Sequence, residues 1–186
     1  MSPKRGVDVS QIEGNTSPEI KQTLLNSIPR MLRTPKVSRS EIFRGFESEL
    51  VSRLRLTEVS VSPKAEEPDK LEGRVVFEVI VDEEMLNSNG SIHGGITAIC
   101  STMPIYVLGL ATGGRATGGV SHSLNVVYHS PALLDDKLRV VSTTLALGNR
   151  ALSSRCEIWN VTRHRLVASA VHLKMDPSEP KPSAKL

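Results

Sequence analysis

Aromatic residues are scarce in this chain of 186: one Trp, two Tyr and three Phe, 3% of the sequence. A core must therefore be assembled from Val, Leu, Ile and Ala. Charge of one sign is also lacking. The formal net charge is only +3, and no basic stripe is interleaved with aromatics, so nucleic acid is not an expected partner. A mild positive balance suits an anionic ligand such as a coenzyme. Only two cysteines occur, Cys100 and Cys156, and neither stands in a CxxC or Cys/His cluster. That spacing argues against a zinc site; no metal and no cofactor are expected, and both cysteines read as buried free thiols. No uninterrupted apolar run reaches the roughly 18 residues that a membrane-spanning helix needs. The N-terminus lacks the apolar core of a secretory signal. Cytoplasm is the expected compartment. Lys4, Arg5, Arg30 and Arg33 leave mitochondria as the second choice, against which stand the early Asp8, Glu13 and Glu19.

What is present divides the chain into four parts. Residues 1–16 are polar and rich in Ser, Gly and Pro, and read as a flexible arm. Residues 17–52 read as a helical extension. Ser17 is the cap and Pro18 the first helical position, with Ile20, Leu24, Leu25 and Ile28 on one face and Pro29 ending or bending the segment. A second helical stretch starts at Ser40, with Ile42, Phe43, Phe46 and Leu50 on one side. Both helices serve as cover for the domain or line one end of a ligand pocket. From residue 53 the period changes to that of strands, and the domain runs to 175. Residues 176–186 carry three prolines and no apolar pattern, and read as a loose tail.

Within 53–175, strands are expected over 53–61, with an irregularity, and 71–81. Gly94 to about Ala111 follows as a nearly uncharged segment with apolar residues at helical spacing, so one long buried helix is expected, broken or kinked at Pro104. Four strand-like runs come next, 120–130, 137–147, 151–161 and 165–175, with turns at Gly148-Asn149 and Thr162-Arg163. The order β-β-α-β-β-β-β describes an α+β domain: an antiparallel sheet wrapped around one central helix, with extra N-terminal helices.

The chemistry-bearing segment is Asn87-Ser-Asn-Gly-Ser-Ile-His93-Gly94-Gly95. His-Gly-Gly at the point where a loop becomes a buried helix presents backbone N–H groups that the helix itself cannot satisfy. Glycine lets a ligand approach the backbone, and the positive end of the helix dipole lies there. Such a place can hold a carbonyl oxygen as it gains negative charge. His93 can donate a hydrogen bond or order the loop, and Asn87 can hold a water or an acyl oxygen. A bare HGG also serves as an ordinary glycine-rich helix start capped by its histidine.

With that motif at the head of the only long buried helix, and with Gly119-Val-Ser121-His-Ser-Leu-Asn125-Val-Val-Tyr-His-Ser130-Pro131-Ala132 following it, residues 53–175 resemble the hotdog-fold thioesterases. The resemblance is to the 4-hydroxybenzoyl-CoA, phenylacetate-pathway and animal acyl-CoA thioesterase groups. It implies hydrolysis of an acyl-CoA thioester, with coenzyme A entering as part of the substrate. It implies a homodimer or dimer of dimers with sites between subunits. The N–H of Gly95 would polarise the carbonyl, with Asn87 and His93 around the thioester and water. Ser121, from the facing subunit, would orient that water. Gly94 would let the coenzyme approach, and Lys137, Arg150 and Lys174 are candidates for its phosphates, or else solvated strand-edge charges.

The chain departs from the family at one point. The resemblance implies a carboxylate nine residues after the motif histidine, and that position is Thr102. No Asp or Glu occurs anywhere between Glu84 and Asp135. A threonine hydroxyl orients water but cannot take its proton near neutral pH. Three readings follow: a thioesterase using another base, with His93, His122 and His129 as candidates; a non-hydrolytic hotdog enzyme such as a dehydratase, isomerase or cyclase; or an acyl-binding subunit that has lost its chemistry. Strand alternation points His122 away from the face of Ser121.

Overall fold

The computed structural model describes residues 8–31, 53–102, 119–148 and 150–175. Six strands are formed: β1 (Arg55–Pro63), β2 (Leu71–Ile80), β3 (Val120–Tyr128), β4 (Lys137–Leu147), β5 (Ala151–Asn160) and β6 (Arg165–Met175). Two α-helices are described, α1 (Pro18–Met31) and α2 (Gly94–Thr102). The strands make one antiparallel sheet in the order β1-β2-β4-β5-β6-β3. Each expected strand is present, and β4 and β6 begin and end where the alternation placed them. The irregularity expected in the first strand is a register shift between Leu56 and Glu58.

Alternation along the central strands sets the inner face. Leu138 and Val140 on β4, Ile158 on β5 and Ala168 and Ala170 on β6 are buried and apolar. Farther along the same strands and on the same face, the buried residues turn polar: Ser142 and Thr144, then Ser154, then His172. Helix α2 lies on this face, contributing Ile96 and Cys100 to the core. Burial pushes the Cys100 thiol up to about 12, so it is an inert packing group, as expected of both cysteines. The expected continuation of this helix to Ala111 and the break at Pro104 lie outside the described residues, as does the helical stretch expected from Ser40.

Helix α1 starts as its sequence dictates: Ser17 Oγ accepts from the N–H of Ile20, and Pro18 is the first helical residue. It runs two residues beyond Pro29. So close to the end, the missing proline N–H removes one bond and leaves no following turn to disrupt.

Residues 8–16 differ from the flexible arm read in the sequence. The N–H of Glu13 donates to the Thr57 carbonyl and the N–H of Val59 to the Glu13 carbonyl, a parallel bridge on β1. Asn15 exchanges both its amide groups with the backbone of Val61, and Thr16 Oγ1 donates to the Val59 carbonyl. The ammonium of Lys21, itself buried, donates to the carbonyls of Ile12 and Gly14 at 2.8 and 2.9 Å. Gly14 has φ +98°, and a Cβ there would lie 2.0 Å from the Val59 carbonyl oxygen. Side-chain acceptors and donors spaced along 13–21 thus convert a polar stretch into a strap on the sheet edge.

Candidate active site

The loop before α2 is built by Asn87. Its Oδ1 accepts from the N–H groups of Asn89 and Ser91, and its Nδ2 donates to Ser91 Oγ. Gly90 takes φ +72° in the turn. The loop is anchored on the following turn, where the Ile92 N–H donates to the carbonyl of buried Ala132. That turn is fixed in its own right. The buried Asp136 carboxylate accepts from the Leu133 N–H, Asn160 Nδ2 and Arg163 Nε. Burial raises its pKa, but these donors outweigh it and hold the carboxyl below its ordinary value.

His93 caps α2. Its carbonyl accepts from the Ile96 N–H, and its Nδ1 accepts from the Gly95 N–H at 3.0 Å. The imidazole is exposed, and this bond puts its proton on Nε2. The donor expected to polarise a carbonyl is therefore engaged by the chain's own histidine in the free protein. Both glycines are sterically required: a Cβ at Gly95 would meet His93 Nδ1 at 3.0 Å, and one at Gly94 would meet Tyr128 Oη at 3.1 Å. Tyr128, at the end of β3, donates from its hydroxyl to the Gly94 carbonyl at 3.1 Å. Sequence reasoning missed this residue, although it stands two positions before the Ser-Pro-Ala turn it had singled out.

Ser121 lies at the other end of β3, seven positions before Tyr128. At about 3.3 Å per residue the two are roughly 20 Å apart. Within one chain, therefore, Ser121 is not brought to the His93-Gly94-Gly95 turn. It meets His172 instead: Ser121 Oγ and His172 Nε2 are 2.9 Å apart. His172 is 1% exposed, and burial, with the Lys174 cation second, pushes its pKa down to about 4. The ring is neutral at physiological pH. This histidine was also missed, yet it could have been found: inward positions on β6 recur as 168, 170 and 172, so a histidine there sits in the core. Register slips between Ser121 and Ser123, leaving His122 as an extra residue of a bulge. Simple alternation, used to set His122 apart from Ser121, does not apply across that bulge. His122 is exposed, and His129 pairs its Nε2 with Ser169 Oγ at 2.9 Å on the surface.

Thr102 is the last described residue of α2, and the environment of its hydroxyl lies outside the described residues. The three basic candidates divide. Lys174 is register-paired with both Ser121 and Leu152, and Arg150 precedes β5 at that same end of the sheet. Burial lowers the pKa of Lys174. Lys137 stands at the opposite end, paired with Glu78 at 2.9 Å, in a charged cleft of about 690 Å³ that also holds Asp8, Arg55 and Arg139.

A six-stranded antiparallel sheet carrying a helix that opens on His-Gly-Gly defines a hotdog domain of the thioesterase class. A model of the thioesterase superfamily matches residues 89–167. The chain is 30% identical over 120 residues to acyl-coenzyme A thioesterase 13 of Homo sapiens, a match covering 64% of this chain and 79% of the relative. The Mus musculus counterpart is 28% identical over 120 residues, with the same coverage. Among solved structures, thioesterase superfamily member 2 of zebra fish has a TM-score of 0.64 at 23% identity, covering 84% of this chain and 97% of that one. The mouse member 2 structure has a TM-score of 0.61 at 23% identity, covering 83% and 95%. The chain belongs to the thioesterase superfamily.

Proposed function

We propose that this protein hydrolyses acyl-CoA thioesters at a site shared by two copies of the chain. The reading rests on the separation of two half-sites. The capped α2 start with its Gly95 donor lies at one end of β3, and the Ser121 hydroxyl lies at the other. A thioester needs both carbonyl polarisation and an oriented water within a few ångströms. A second copy docked antiparallel along β3 supplies the missing half to each α2 start. β3 is suited to this, because it is hydrogen-bonded on one side only among the described residues, and Val120, Val127 and Tyr128 are half exposed or more.

In this arrangement the acyl carbonyl takes the Gly95 N–H, His93 and Asn87 border the thioester, and Ser121 of the second copy orients the attacking water. Arg150 and Lys174 are the cations placed at the Ser121 end, and Gly94 leaves room for the pantetheine arm. The test is incubation with acyl-CoAs of graded chain length while free thiol is followed. Thiol release that falls by about 100-fold in Ser121→Ala is expected. No release with any chain length would end the hydrolytic reading.

A further inference from the structure

The helix of this chain offers no carboxylate to activate water, yet a buried imidazole stands behind the water-orienting serine. We propose that Ser121 and His172 act as a proton relay that replaces the helix carboxylate, with Ser154 as a positioning residue that fixes the tautomer of His172. This rests on the hydrolytic reading above and names the base that reading lacks.

Four observations carry it. Ser121 Oγ and His172 Nε2 are at hydrogen-bond distance, 2.9 Å. The other ring nitrogen, Nδ1, is buried and has no hydrogen-bond partner among the described residues. Ser154 is the register partner of His172 on β5, is 1% exposed, and its hydroxyl is likewise unpartnered. Finally, the bulge at His122 re-aims β3 next to Ser121.

Two buried orphan groups on facing residues are costly when left unpaired, about 1–3 kcal/mol each, and a single bridging water satisfies both. That bridge lets Nδ1 keep the proton and pass it as a hydrogen bond toward Ser154. Nε2 is then the acceptor, and the Ser121 hydroxyl donates to it. The Ser121 oxygen keeps its lone pairs for the attacking water. Burial has brought this imidazole to a basicity close to that of an ordinary carboxylate. It is therefore no weaker a base than the group the helix lacks.

In the step itself, the water oxygen bonds to the acyl carbon. The water's proton passes to Ser121 Oγ, and the serine proton passes to His172 Nε2. The C–S bond then breaks, and the proton returns through Ser121 to the departing thiolate, giving the free acid and the thiol. Nothing else is consumed. His172 is buried and acts through Ser121, whereas Ser121 alone touches the water.

The experiment combines turnover with a direct reading of the tautomer. Uniformly ¹⁵N-labelled full-length protein is examined by long-range ¹H–¹⁵N correlation, with the His172 signals assigned by their loss in His172→Gln. The wild type is expected to carry the ring proton on Nδ1. Ser154→Ala is expected to shift the population toward Nε2–H and to lower kcat roughly tenfold, with Ser154→Thr restoring both. His172→Gln is expected to lower kcat by about 100-fold or more at unchanged KM. A wild-type ring protonated on Nε2, or a tautomer indifferent to Ser154→Ala, overturns the relay without any appeal to activity. Thiol release that survives His172→Gln overturns the relay and leaves the hydrolytic reading standing. No thiol release from any acyl-CoA overturns both.

Discussion

The two edges of the sheet are treated in opposite ways. At β1, the strap of residues 8–16 occupies the edge, held by the Glu13 bridge, the Asn15 clamp and the ammonium of Lys21. At β3, the described residues leave the outer edge unpaired and place Val120, Val127 and Tyr128 in solvent. An unpaired strand edge is a template for another chain. Closing one edge and leaving the other open directs a second copy to one place. The strand left open is also the one that carries Ser121 at one end and Tyr128 at the other, so assembly and chemistry share a single element.

The largest effect is expected from spoiling the open edge. Val127→Lys places a charge in the middle of β3. It should give a monomer by light scattering and reduce thiol release by about 100-fold or more, since each α2 start loses the opposite Ser121. A fully active monomer would break the comparison between the edges. Spoiling the closed edge should act on stability alone. Gly14→Ala forces a side chain into a positive-φ position against the Val59 carbonyl. It should cost about 3 kcal/mol, on the order of 10 °C in Tm, with turnover per folded molecule unchanged within about twofold.

Acid separates the edges by a third route. His172, beneath the β3 pairing, has its pKa lowered from 6.5 to about 4 by burial and then by Lys174. The unfolded chain therefore binds the extra proton first. The stabilising contribution is complete above pH 6.5 and is lost as pH falls from 6.5 towards 4, up to about 3 kcal/mol. The depressed carboxylate of Asp8 in the strap starts from 3.8 and loses its contribution only below that. Denaturant melts between pH 7 and 4 should show the fall in wild type and a flatter profile in His172→Gln. The smallest effect is expected from Tyr128→Phe, which removes the donor to the Gly94 carbonyl. About 1 kcal/mol of stability and a few-fold in turnover should go with it.

Much of this arrangement was legible in the residues. The period-2 runs locate β4 and β6 to the residue, Ser17-Pro18 marks the start of α1, and His93-Gly94-Gly95 marks the start of α2. Those are local signals, written in neighbouring residues. The strap was not legible, because its bonds join Glu13 and Asn15 to strand residues more than forty positions away. The pairing of Ser121 with His172 spans 51 positions and depends on a bulge that alternation does not reveal. The resemblance to thioesterases drew attention to Thr102 on the helix. A substitute base, however, is set by cross-strand register, and register is a property of the assembled sheet.

One bond at the start of α2 has a further consequence. The Gly95 N–H is held by His93 Nδ1 before any substrate arrives. A thioester carbonyl that claims this donor must first evict a neutral nitrogen acceptor, so the ground state trades one neutral hydrogen bond for another and gains little. The oxyanion that follows is a charged acceptor, for which the same N–H is worth roughly twice as much. The imidazole latch thus works as a filter on charge: it discounts binding of the resting ester and leaves the full strength of the donor for the moment the carbonyl becomes tetrahedral.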